Sequence, residues 1–294
     1  MPSIPVATVK PGYTPQSEDT SIDADVLLFQ LLRELTPQQK AQRVRHFNQS
    51  TRKLILIGIK NQYPNSCLSW VRQELIRRRL GQELITILGL KIIEFEIEEK
   101  WMILDPLELA YRIAALFETL NIPYLVGGSV ASSLLGESRS TQDLDLVISI
   151  SLSQAPQLIQ ALTEDFYISE SAVIEAINLR RSFNIIHLKS MEKVDIFVIG
   201  DDGFSRSKMS RRQIYRIDDS ETGIYIYSSE DIILQKLSWY KLSATESQKQ
   251  WRDVLGVLKV QGERLDFNYL NQWAEILKLQ PLLESALQQA GLQE

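Results

Sequence analysis

Three aspartates stand where a strand pattern should bury apolar side chains: Asp143 and Asp145 in DLDLVISI (143–150), and Asp195 in KVDIFVI (193–199). Successive side chains of a strand point to opposite faces, so Leu144 and Leu146 share one face while Asp143 and Asp145 share the other, about 7 Å apart. Val194 and Ile196 flank Asp195 in the same way. If the two strands are neighbours, three carboxylates converge, and their mutual repulsion is best relieved by a hard divalent cation with oxygen ligands, typically Mg²⁺, with Mn²⁺ suited to the same donors. The competing reading of Asp143 and Asp145 is a solvated edge-strand face. Upstream, Gly127-Gly128-Ser129 follows an apolar stretch and precedes Val130 to Leu135. Glycines there let a backbone approach a ligand, and a helix N-terminus offers free N–H groups to phosphate oxygens. A phosphate cradle, then Arg139, then an Asp-x-Asp strand and a later single-Asp strand point together to metal-assisted phosphoryl or nucleotidyl transfer.

These residues need elements to hold them. IPYLVGG (122–128), DLDLVISI and KVDIFVI are expected as strands, and Ile92 to Glu99 alternates enough to predict an edge strand. Asp105-Pro106 has the order of an N-cap and first turn, opening an amphipathic helix with Leu107, Leu109, Ile113, Leu116 and Leu120. Tyr215-Arg-Ile and Ile224-Tyr-Ile-Tyr suggest a hairpin, and the chain after Ser228 is helical in pattern. Three or four short helices are expected in 21–91, one opened by Thr36-Pro37 and one ending at the Arg77-Arg78-Arg79 run. The fold class is therefore α+β, a mixed sheet flanked by helices and followed by a helical region. The expected domains are a disordered leader (1–20), a basic helical domain (21–91), a catalytic domain (92–228) and a C-terminal helical region (229–294) that completes the site.

Charge is distributed unevenly. The 294 residues carry a net −5, but residues 21–91 hold twelve basic against five acidic side chains, a net of +7. Such a segment favours phosphate backbones through counterion release, which makes RNA a candidate partner; a solvated bundle or a protein-docking surface competes. The run Phe204 to Arg212, with four basic residues, invites the same two readings. Composition excludes other classes. The single Cys67 rules out an internal disulfide framework and fits a reducing, cytoplasmic compartment. No apolar run approaches the ~20 residues of a membrane span. His46 and His187 lack zinc-ligand spacing, and neither a P-loop nor a Gly-x-Gly-x-x-Gly match is present.

YLVGGSVASSLLGESRSTQDLDLVI resembles the signature of the DNA-polymerase-β-type nucleotidyltransferase superfamily, a hydrophobic-Gly-Gly/Ser segment followed after about ten residues by Asp-hydrophobic-Asp. SSEDIILQKLSWYKLSATESQKQWRDVLGVLKV (228–260) is similar to the C-terminal helices of the AbiEii-type abortive-infection toxins and related bacterial proteins. The resemblance spans about residues 105–290. It implies transfer of an NMP from an NTP to an acceptor hydroxyl, on RNA or tRNA in toxin members, with an antitoxin or other protein as a further partner. By this resemblance Asp143 and Asp145 hold Mg²⁺, Gly127, Gly128 and Ser129 bind phosphates, and Arg139 and Lys236 contact nucleotide. Asp195 is a third metal ligand or the base, and Asp253 completes the site. Transfer to a small molecule or a protein, and a catalytically idle binding module, are the alternatives.

Overall fold

Capping and apolar periodicity set the helices. The structure, a computed structural model, describes residues 4–88, 104–141, 143–216, 223–243 and 247–293. Its first elements are α1 (Ile22–Glu34), α2 (Pro37–Gln62), α3 (Leu68–Leu88), α4 (Pro106–Thr119), β1 (Tyr124–Val126) and α5 (Gly128–Leu135). Next come β2 (Leu144–Ile148), α6 (Ala155–Leu162), β3 (Phe166–Tyr167), α7 (Glu170–Leu179), β4 (Ser182–His187) and β5 (Lys193–Val198). The chain closes with α8 (Gly203–Ser210), β6 (Gln213–Tyr215), β7 (Ile224–Ile226), α9 (Ser229–Leu242), α10 (Gln248–Gln261), α11 (Phe267–Ile276) and α12 (Gln280–Gln289). The class is α+β, as the sequence pattern predicts. The edge strand expected at Ile92 to Glu99 lies outside the described residues. Helices 21–88 number three, and α2 is longer than expected at 26 residues. The Thr36 hydroxyl accepts from Gln39 N while the Gln39 side chain accepts from Thr36 N, a reciprocal cap that opens α2 firmly.

The chain divides into two interleaved units, one of Arg45–Val126 and Ser140–Asp201, the other of Met1–Val44, Gly127–Arg139 and Asp202–Glu294. In the first, a mixed sheet runs β3-β4-β5-β2-β1, with β2 and β5 parallel and the other pairings antiparallel. Leu144, Leu146, Val194 and Ile196 are all buried, so the apolar faces of β2 and β5 coincide. Asp105 caps α4 by accepting from Leu107 N at 3.1 Å, and Leu107, Ala110, Ile113 and Phe117 bury its inner face. Leu56, Ile59, Val71 and Leu75 join α2 to α3. Three arginines from these helices grip the turn between β4 and β5. Arg72 donates to Leu188 O at 2.9 Å, and Arg52 and Arg79 both pair with buried Glu192 at 2.6 and 2.5 Å.

The second unit is helical apart from the β6–β7 hairpin, whose register pairs Gln213 with Ile226 and Tyr215 with Ile224. Its core lies on α10, where Val254, Val257, Leu258 and Val260 are buried. Residues 4–21 form no helix or strand, yet they are tied down. Fully buried Asp25 accepts from Tyr13 Oη at 2.5 Å and Gln16 N at 2.8 Å, and pairs with Lys259 at 2.7 Å.

Candidate active site

The carboxylates belong to the first unit. β2 and β5 are neighbours, as the convergence argument requires, and their parallel register sets Asp145 directly opposite Asp195. Asp143 stands one residue before β2 and is exposed, and Asp145 is half-buried. Lys193, two residues before Asp195 on the same face, places its ammonium 2.9 Å from the Asp195 carboxylate. The i, i+2 spacing of Lys193 and Asp195 on one strand is the signal that could have found this pair. Among the described residues no three His, Cys, Asp or Glu side chains are arranged to hold a metal ion. Asp145 and Asp195 nonetheless supply hard oxygen donors from adjacent strands, which is donor chemistry suited to Mg²⁺.

The cradle belongs to the second unit. Gly127 caps α5 without a side-chain bond, and Gly128 has φ +56°, a left-handed value that glycine adopts without strain. Gly136, at the other end of α5, sits against α10 so closely that a Cβ would lie 2.7 Å from Val257 N and 2.8 Å from Gly256 C. That approach brings Arg139, Lys236 and Asp253 together. Arg139 donates from Nε to Asp253 Oδ1 at 2.7 Å and from Nη2 to Asp253 Oδ2 at 2.8 Å. It also donates to Ser129 Oγ at 2.7 Å. Lys236 Nζ lies 2.8 Å from Asp253 Oδ2, with both side chains nearly fully buried. Burial pushes the Asp253 carboxyl upward, but the hydrogen bond from Arg139 and the charges of Lys236 and Arg139 outweigh it and hold the group below its ordinary value. An ionised carboxylate gripped by two cations is a clamp that orients Lys236 and Arg139 around Ser129.

Most of the cations in 21–91 are engaged inside their own unit. Besides Arg52, Arg72 and Arg79, Arg77 and Arg78 pair with Glu74, Arg45 with Asp105, and Arg33 donates to Lys259 O. Lys40 is buried, its pKa lowered to about 8 by desolvation and by the nearby Arg264. The run 204–212 is likewise engaged. Lys208 bonds Gln235, Arg211 pairs with Glu230 and covers the Tyr269 ring, and Arg212 donates to Met209 O. His187 is buried against Ser190, 2.7 Å from its hydroxyl, and burial lowers its pKa to about 4. Among the described residues no helix is long and apolar enough to cross a membrane.

No protein-family model matches this chain, and no curated protein matches it. Among solved structures it is similar to an antigenic nucleotidyltransferase-like protein from Paracoccidioides brasiliensis, at 18% identity and a TM-score of 0.40, over 62% of this chain and 91% of that one.

Proposed function

We propose that this protein is a nucleotidyltransferase that moves an NMP from an NTP to an acceptor hydroxyl. The observation that carries the reading is the Asp145–Asp195 register of β2 and β5, with Asp143 two residues upstream of Asp145. Asp143, Asp145 and Asp195 would hold Mg²⁺ or Mn²⁺, with Asp195 exchanging Lys193 for the ion. The ion supplies charge neutralisation on the triphosphate and orientation for in-line displacement. Gly127, Gly128 and Ser129 would receive phosphate oxygens at the start of α5, and Lys236 would act as a point charge toward them. Asp253 would hold Lys236 and Arg139 in place rather than take the proton of the acceptor hydroxyl. The acceptor would be RNA. Its charge argument now rests on the cations of 21–91 outside the buried pairs, among them exposed Lys53.

A second reading has its own support. Asp195 and Asp253 are both held by cations of the protein, as in a nucleotide-binding module without catalysis. Incubation with each α-labelled NTP, Mg²⁺ and cellular RNA separates the two. Label in RNA that Asp145→Asn abolishes supports RNA as acceptor, while label in protein or small molecules moves the acceptor. Mn²⁺ binding followed by electron paramagnetic resonance gives a readout independent of turnover. No label from any NTP, with Mn²⁺ binding indifferent to Asp145→Asn, would leave only the binding module.

A further inference from the structure

A cavity of about 670 Å³ in the helical unit is walled by Arg139, Lys249, Trp251 and Arg252, with Glu18 the one acidic residue among its lining. Its volume falls within the range of small-molecule sites. Lys249 and Arg252 stand at the start of α10, which has no side-chain cap and no acidic residue in its first turn. Cations at the positive end of a helix are unfavourable unless an anion meets them. Arg252 is met by Glu137 at 3.0 Å and Arg139 by Asp253, but Asp253 already answers Lys236, so positive charge remains in excess. Lys249 is exposed and has no carboxylate partner among the described residues. The indole of Trp251 is fixed in place, donating from Nε1 to Gln289 Oε1 at 3.0 Å and packing on Tyr240 with ring centroids 4.9 Å apart. A rigid indole beside the ammonium of Lys249, which no carboxylate answers among the described residues, suits a ligand that joins a flat ring to an anionic group. The amide of Gln248, and Gln16 Oε1, which is buried with no hydrogen-bond partner, add polar groups for the edge of such a ring.

We propose that this cavity binds a nucleoside monophosphate, its phosphate on Lys249 and Arg252 and its base against Trp251. The proposal uses none of the carboxylates of β2 and β5 and does not depend on nucleotidyl transfer. Isothermal titration calorimetry of the full chain with the four common nucleoside monophosphates, with adenosine and with inorganic phosphate tests it. At least one monophosphate is expected to bind tenfold or more tightly than either adenosine or phosphate. Lys249→Gln and Arg252→Gln should each weaken it several-fold, and Trp251→Phe should weaken the monophosphate while leaving inorganic phosphate unchanged. Lys249→Gln removes no partner, so its effect is not a folding defect. Absence of binding by all four monophosphates overturns the proposal, as does binding indifferent to Lys249→Gln. Loss of binding in Asp145→Asn also overturns it, by placing the ligand on the carboxylates, and that outcome leaves the proposed transferase reading standing.

Discussion

Replacing Asp253 by Asn keeps the side chain's shape and removes its charge. Lys236 is 2% exposed and the Asp253 side chain 4%, so the substitution strands a buried ammonium and half-strands the Arg139 guanidinium. Breaking a buried pair by removing one partner costs about 3–5 kcal/mol. With a urea slope of about 3 kcal/mol/M for a chain of this size, the unfolding midpoint should fall by roughly 1–2 M. Acid provides an internal control. The folded pKa of Asp253 is depressed below its unfolded value, so its contribution is present above about pH 4 and is lost as pH falls through the folded value. The penalty of Asp253→Asn should therefore be constant from pH 7 to pH 5 and shrink below pH 4. A cycle with Lys236→Met should also return a coupling of about 1 kcal/mol or more. A midpoint shift under about 0.3 M at pH 7, or a zero coupling, would refute the clamp.

Two further outcomes follow from buried charge. Glu192→Gln leaves Arg52 and Arg79 facing each other without their shared carboxylate, so urea unfolding should show a loss of about 3–5 kcal/mol and hydrogen exchange should rise in the β4–β5 turn. Lys40, with a pKa of about 8, is charged in both folded and unfolded states at pH 7, at a constant cost to the fold. Stability should rise between about pH 8 and 10.4 as the unfolded chain binds the additional proton. Lys40→Met should therefore be the more stable protein at pH 7, by on the order of 2–3 kcal/mol, with the gap closing by about pH 10.5 in calorimetric scans. A gap of the same size at both pH values would contradict the assignment.

Alternation made β2 and β5 legible, because a face of leucine, valine and isoleucine must point inward whatever lies across from it. The helix starts at Thr36-Pro37 and Asp105-Pro106 were legible because capping is local. β4 was not foreseen. SFNIIH alternates only at Phe183 and Ile185 before Ile186 breaks the period, and a run that short fits a helix as well as a strand. β3 has two residues and exists through its pairing with β4. The clamp's members were each visible as charged residues, but their mutual contact was not.

The sequence by itself determined the α+β class, the placement of Asp143, Asp145 and Asp195 opposite an apolar face, and the turn at Gly127-Gly128-Ser129. Those follow from periods and caps that act over a few residues. Tertiary structure alone decided which charge meets which. It gave Asp195 to Lys193, Asp253 to Arg139 and Lys236, and Glu192 to Arg52 and Arg79, and it tied the proline-rich start of the chain to Asp25. Arg139 and Asp253, and Glu192 and its two arginines, lie more than a hundred residues apart in sequence, and a buried ion pair forms only where packing excludes water and brings both groups within reach. A net of +7 over residues 21–91 looked like a surface for nucleic acid; packing drew Arg52, Arg72 and Arg79 in as the fold's own fastenings, while Arg77 and Arg78 stay exposed beside Glu74 of their own helix.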